Sequence, residues 1–286
     1  MPKLLTDAQV HQYERDGYVH PLRAFSADEA QGILEHMDAL ERREPDLWSR
    51  AKYKPHLLMK WLNDFMRTPT VLDAVEDVLG PNVLAWGTAH FDKKPHDPKF
   101  VNWHQDSTYW GLSEPSVLTA WVALTPSRRT NGCLRVIPGS HRQGQVPHHD
   151  TFDKDSVLSR GQEVEVDVDE NDAVDLELNP GEFSLHHTML VHGSEANTSD
   201  IRRCGIAIRY VATRVRPIEG FRDSATLVRG VDEYGHFAPD VVPAYDMDPA
   251  AVAFYNDMRE ERERRRESII SRAGAGEGTG PDANPS

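Results

Sequence analysis

The chain has 286 residues with 38% hydrophobic content, enough for one large domain, or two small ones, with a substantial core. A net charge of −14 argues against nucleic acid or an anionic membrane as partner, because both would repel it. The two cysteines, Cys133 and Cys204, are too far apart for a zinc-binding spacing and too few for a disulfide framework; they suit small core residues in a reducing cytoplasm.

The N-terminus, MPKLLTDAQVHQYERDG, lacks the apolar run of a secretory signal. No stretch approaches the roughly 20 apolar residues that a membrane helix needs, so a soluble cytoplasmic protein is expected. Residues 1–81 read as helical. Thr6 is placed to cap a short helix ending near Gly17, and Ser26 with Glu29 forms the S-x-x-E capping box that opens SADEAQGILEHMDALERRE. Pro69 at a first helical position and Gly80 after the last bracket PTVLDAVEDVL.

From Asn82 the texture changes. NVLAWGTAHFD, SVLTAWVAL, CLRVIPGSH, AVDLELNPGEFSLHH, TMLVHGS and RCGIAIRYVAT are short, rich in β-formers and separated by Gly, Pro, Asn and Asp. This predicts an all-β core with helices packed outside it. The absence of a repeat of 20–50 residues disfavours a solenoid or propeller. A last helix is expected over 249–271, its mixed charges at 259–267 forming a solvated face. The end, 272–286, is rich in Gly, Ala and Pro and reads as a disordered tail. The expected organisation is one domain over 1–271.

Within NWHQDSTYWGL, His104 and Asp106 are separated by one residue, which on a β-strand points both side chains to one face. With 14 histidines in the chain, an H-x-D pair alone says little. A second half changes its weight: His192 stands near the end of an apolar strand that turns at Gly193. Two imidazoles and one carboxylate suit Fe(II), hold one face of an octahedron and leave three positions open for a co-substrate and oxygen. The co-substrate 2-oxoglutarate also needs a cation for its distal carboxylate, and the arginine fork suits it best. Arg203 lies eleven residues after His192, and a turn through SEANTSD would return its strand beside the first. Ser194 offers a hydroxyl to the same carboxylate. Taken alone, Arg203 reads equally well as a surface arginine beside Arg202.

Three segments together resemble the phytanoyl-CoA dioxygenase family of Fe(II)/2-oxoglutarate oxygenases: WHQDSTYW (103–110), LTAWVALTPSRRTNGCLRVIPGSH (118–141) and LVHGSEANTSDIRR (190–203). The resemblance covers about 82–213 and implies a mainly β fold with flanking helices. That fold is a double-stranded β-helix, the jelly roll of cupin-like proteins, with its core over about 82–230. It implies His104, Asp106 and His192 as iron ligands and Arg203, assisted by Ser194, as the anchor of 2-oxoglutarate. Trp121 would stand beside the co-substrate with Thr119 close by. O2 would be the oxidant. Asn131 and Gly132 suit a tight turn and receive no chemical role. Halogenating relatives carry Ala or Gly in place of the carboxylate ligand, so Asp106 favours hydroxylation or another two-electron oxidation. Neither His186 nor His187 is followed by Gly-Ser or has an arginine at the family distance; both read as core or pocket-wall residues.

Substrate contacts in such folds come from loops. The segment 46–61 carries Trp48, Arg50, Lys52 and Lys54, which read either as contacts for an anionic or polyhydroxylated substrate or as a basic surface loop. Tyr109, Trp110, the loop after Gly139 and the pair His148–His149 are further candidates. The expected substrate is a small to medium polar metabolite, such as a natural-product intermediate. Two readings from other classes stay open: a non-redox metal-dependent isomerase or lyase, and a non-catalytic binding protein of the same fold.

Overall fold

Thr6 and Ser26 each begin a helix with a reciprocal capping box. Thr6 accepts from the Gln9 amide and opens α1 (Asp7–Asp16), which Gly17 ends in a left-handed conformation. Ser26 does the same with Glu29 for α2 (Ala27–Arg43). Short helices α3 (Pro45–Arg50) and α4 (Lys60–Phe65) lead to α5 (Pro69–Leu79), which has proline in its first turn and Gly80 as its C-cap. The last helix, α6, spans Pro249–Gly274. The computed structural model describes residues 2–158, 161–166, 168–218 and 222–274, without the side chains of Arg50, Tyr109 and 265–274. The tail expected to be disordered therefore lies outside the described residues from 275 onward. No helix among the described residues is long and apolar enough to cross a membrane.

The N-terminal part is not wholly helical. Between α1 and α2 the chain forms strand β1 (Tyr18–Arg23), whose residues pair with a strand more than 150 positions later. Local pattern could not reveal it, because its partner supplies the hydrogen bonds. The remaining strands are β2 (Val83–Lys93), β3 (Val101–His104), β4 (Val117–Ala123), β5 (Leu134–Val136), β6 (His148–Asp150), β7 (Gln162–Val164), β8 (Val174–Leu176), β9 (Glu182–His187), β10 (His192–Ser194), β11 (Arg203–Ala212), β12 (Ser224–Arg229) and β13 (Ala238–Pro239). A seven-stranded sheet runs β1-β9-β4-β11-β2-β12-β13, and a four-stranded sheet runs β3-β10-β5-β8. These are the two layers of a jelly roll.

The alternation of side chains along a strand decides what each face of the large sheet does. On β4, Leu118, Ala120 and Val122 join Cys204, Ile206, Ile208 and Tyr210 of β11 in a core closed by helix residues such as Leu34, Met37, Val71 and Val75. The intervening Thr119, Trp121, Arg203, Ala207 and Arg209 face the other way, into a cavity roofed by the small sheet. Cys133 and Cys204 are both free and buried.

Candidate metal and co-substrate site

His104 ends β3 and sits directly opposite His192 of β10 in the antiparallel register. Their rings lie 4.1 Å apart between centroids. Each ring is oriented by its own strand: His104 Nδ1 lies 2.9 Å from the Asn102 carbonyl, and His192 Nδ1 lies 2.8 Å from the Leu190 carbonyl. A proton on Nδ1 donated to each carbonyl leaves each Nε2 lone pair free to bind a metal.

Asp106 reaches this pair by a different route from the expected one. The strand stops at His104, and Asp106 opens a short 3-10 turn over Asp106–Tyr109. Gln105, buried between them, fixes the change of direction. Its side-chain amide donates to the Met189 and Gly144 carbonyls, and its backbone N–H donates to His148 Nε2. His148 is thus a strut behind the site, while His149 is exposed. Asp106 Oδ1 comes within 3.7 Å of His104 Nε2. Ligand atoms of His104, Asp106 and His192 all lie within 4.8 Å of one another.

The electrostatics suit a cation. Burial alone would raise the Asp106 carboxyl, but the contact with His104 and the neighbouring His192 and Arg209 outweigh it and hold the group well below the usual carboxylate range. Burial pushes His192 well below the usual histidine value, so its ring stays neutral and can bind metal. A carboxylate and two oriented imidazoles whose ligand atoms converge fit a divalent metal such as iron.

Arg203 lies at one end of the same cavity. The turn before it does not bring β11 beside β10; the chain crosses from the small sheet to the large one, and Arg203 faces Ser194 across the gap between layers. Its Nε donates to the Gly132 carbonyl at 3.0 Å and its Nη2 to Ser194 Oγ at 2.9 Å. Ser194 Oγ in turn donates to the Gly132 carbonyl at 2.7 Å. The guanidinium carbon stands 5.3 Å from the Trp121 ring. Burial lowers Arg203 to about 10, which leaves it charged at neutral pH. Thr119 lies farther along the cavity, where its hydroxyl donates to Asp106 Oδ2 at 3.3 Å.

Two features here carried no signal in the sequence motifs. Lys93, buried at the end of β2, donates to Ser194 Oγ at 2.7 Å and also to the Glu195 carbonyl. Burial, then the nearby Arg203 charge, pushes it down to about 6. The Gly132 carbonyl gathers both Arg203 and Ser194; a Cβ at Gly132 would fall 2.2 Å from the Glu195 carbonyl oxygen, so this turn tolerates only glycine. Gly132, expected to be a plain turn residue, therefore helps to hold Arg203 and Ser194 in place. Alternation along β2, opposite Arg203 in register, was the available clue to Lys93.

The basic loop does not form a substrate site as a unit. Lys54 is buried and ion-paired to Asp223 at 3.1 Å, so it is not offered to a ligand. Trp48 stacks on His90 at 4.2 Å on the outer face of β2, and Lys52 is exposed. The side chains of Arg50 and Tyr109 lie outside the described residues. Of the two central histidines, His186 lines the cavity with its ring 4.9 Å from that of His192. His187 points away and packs against Tyr13 and His141.

Residues 13–205 match the family model described as Phytanoyl-CoA dioxygenase (PhyH). A protein of Stutzerimonas stutzeri named probable alpha-ketoglutarate-dependent hypophosphite dioxygenase is 28% identical over 74% of this chain and 80% of its own length. The ectoine dioxygenase of Bordetella bronchiseptica is 30% identical over 49% of this chain, which spans about half of that relative's length. Among solved structures, the non-heme monooxygenase ThoJ is 34% identical with a TM-score of 0.83, covering 92% of this chain and 99% of its own. CytC3, solved with Fe(II) and alpha-ketoglutarate, is 25% identical with a TM-score of 0.64 over 85% of this chain and 96% of its own. The matched segment, more than half the chain, carries the whole four-stranded sheet and the converging His104, Asp106 and His192, and the chain belongs to the phytanoyl-CoA dioxygenase family of Fe(II)/2-oxoglutarate-dependent oxygenases.

Proposed function

We propose that His104, Asp106 and His192 hold Fe(II), that Arg203 and Ser194 receive the distal carboxylate of 2-oxoglutarate beside Trp121, and that the enzyme inserts oxygen into, or removes two hydrogens from, a small polar metabolite. The observation that carries the reading is the buried Arg203 guanidinium, held by the Gly132 carbonyl and Ser194 in the same cavity as the three converging ligand atoms. A metal-dependent isomerase or lyase that does no redox chemistry would have no use for such an anchor.

Iron and 2-oxoglutarate, when bound, supply dioxygen activation and the oxidation of an unactivated C–H bond, with the co-substrate decarboxylated to succinate. The chain supplies position and polarity. His104 and His192 keep their Nε2 atoms aimed inward because the backbone carbonyls of Asn102 and Leu190 hold the opposite nitrogens. Asp106 contributes the negative charge and, with Thr119 on one oxygen, presents the other to the metal. Apolar walls, including Phe91, Val101, Leu134 and Leu158, limit water around the reacting centre. Asp106 fills the position that a halide would need, which favours hydroxylation, desaturation or ring closure over halogenation. The similarity to ThoJ, CytC3 and the ectoine dioxygenase supports a small-molecule substrate such as a natural-product intermediate.

The test is anaerobic titration of the metal-free protein with Fe(II) and 2-oxoglutarate. A weak visible charge-transfer band, absent with either component alone and saturating at one equivalent of each, is expected. No band at stoichiometric metal would overturn the reading.

A further inference from the structure

The register of the large sheet sets a second arginine in the cavity. Arg209 pairs with Thr119 of β4, and Thr119 pairs with His186 of β9, so these three polar side chains form one row across three neighbouring strands. All three line the cavity that holds the ligand triad. Arg203 and Arg209 lie six residues apart on the same face of β11, about 20 Å along an extended strand. Trp121 pairs with Ala207 between them, and Asp106 is met from Thr119 in the Arg209 row. The cavity thus has a cation toward each end.

The two arginines differ in how they are held. Arg203 is tied to the Gly132 carbonyl and Ser194. Arg209 makes no hydrogen bond or ion pair with any described residue, and its Nε is shut off from solvent without a partner. Its guanidinium carbon stands 5.2 Å from the Trp110 ring, and Trp86 packs edge-on against Trp110 at 5.1 Å. Arg262 of α6, which sits over the Tyr53 ring at 4.1 Å, adds a second positive charge in this direction. Asp106 is the carboxylate that acts on Arg209, with a smaller effect from the Tyr53 phenol, and it is committed to the metal position. Arg209 is half-buried and its two Nη atoms are not sealed off, so they can give up water to an incoming oxyanion.

We propose that Arg209, backed by Trp110, binds an acidic group of the primary substrate, a carboxylate or phosphate, and so holds the substrate at the end of the cavity opposite the co-substrate anchor. The planar fork lying on an indole face leaves its edge free for two parallel hydrogen bonds to an oxyanion. The proposal rests on the reading of the cavity as an Fe(II)/2-oxoglutarate centre and names the class of substrate which that centre receives.

The experiment uses iodide as the anionic probe and acrylamide as its neutral control, at constant ionic strength. Quenching of Trp110 fluorescence is isolated as the difference between the native protein and Trp110→Phe. Iodide is expected to quench Trp110 at least threefold more effectively than acrylamide. The excess should vanish in Arg209→Gln and persist in Arg209→Lys. Acetate and inorganic phosphate should each relieve the iodide quenching, and the one acting at lower concentration identifies the acid. No excess of iodide over acrylamide, an equal excess in Arg209→Gln, or no relief by either oxyanion would overturn the proposal. The anaerobic charge-transfer band is measured alongside. Its absence from the native protein would sink the oxygenase reading while leaving the iodide result to stand on its own. Its loss in Arg209→Gln alone would assign Arg209 to the co-substrate and overturn the proposal.

Discussion

Arg202 and Arg203 are adjacent in sequence and lie on opposite faces of one sheet. Arg202 donates to Asp92 at 2.8 Å and to Asp38 of α2 at 2.8 Å, on the helix side. Arg203 enters the cavity and meets Ser194 at 2.9 Å. Arg203→Ala should raise the requirement for 2-oxoglutarate roughly 30-fold or more, matching the loss of about 2 kcal/mol or more for a buried charged contact. Arg202→Ala should instead lower stability by up to about 1 kcal/mol, as expected of a partly exposed ion pair, with the co-substrate KM unchanged. Steady-state kinetics and denaturant unfolding of both variants decide it; equal effects on KM would remove Arg203 from the anchor.

The ligand set is separable by substitution. His192→Ala should abolish Fe(II) binding at stoichiometric metal with the circular dichroism spectrum retained. His187→Ala, which changes a ring packed against Tyr13 and His141, should keep the metal. Metal content after gel filtration is the measurement, and iron retained at full occupancy by His192→Ala would refute the assignment.

Gly205 leaves room for Trp121, the aromatic neighbour of Arg203. A Cβ there would fall 2.4 Å from Trp121 Cζ2 and 2.7 Å from the Val122 carbonyl oxygen, and neither the ring nor the strand has room to retreat freely. Gly205→Ala should cost about 1–3 kcal/mol of stability by overpacking and raise the 2-oxoglutarate KM by displacing Trp121. Thermal unfolding and KM measured together test the coupling; a stability loss of that size with an unaltered KM would show that Trp121 does not sit beside the co-substrate.

Acid should weaken the fold before carboxylates are protonated. Burial pushes His90 and His187 down to about 4 from the ordinary 6.5. Between these values the unfolded chain binds protons that the folded chain does not, so unfolding gains ground as pH falls from about 6.5 to about 4. Urea midpoints across this range should decline, and His187→Gln should flatten part of the slope. A midpoint constant from pH 6.5 to 4.5 would contradict the burial argument.

The product should carry no halogen. With Asp106 occupying the carboxylate position, oxidation in chloride or bromide buffer should give hydroxylated, desaturated or cyclised product, read by mass spectrometry. Asp106→Gly should lose most of its iron and its activity rather than become an efficient halogenase. A halogen isotope pattern from the native enzyme would overturn this view of the site.

Several features of this protein are local in origin and could be read directly from the chain. Thr6, Ser26, Pro69 and Gly80 mark helix ends because capping is settled within four residues. The H-x-D pair, the His-Gly-Ser turn and the arginine eleven residues on are likewise local patterns. Tertiary structure decided the rest. Strand β1 exists because β9 is there to pair with it, and Asp106 turns toward the histidines because Gln105 is tied to the Met189 and Gly144 carbonyls. Lys54 reads as a surface cation until Asp223, 169 positions away, takes it into the interior. Arg209 is one more arginine in a strand until the register with Thr119 and His186 places it in the cavity. Each of these depends on contacts between residues remote in sequence, and a side chain's partner across two sheets is fixed by register, which no local pattern contains.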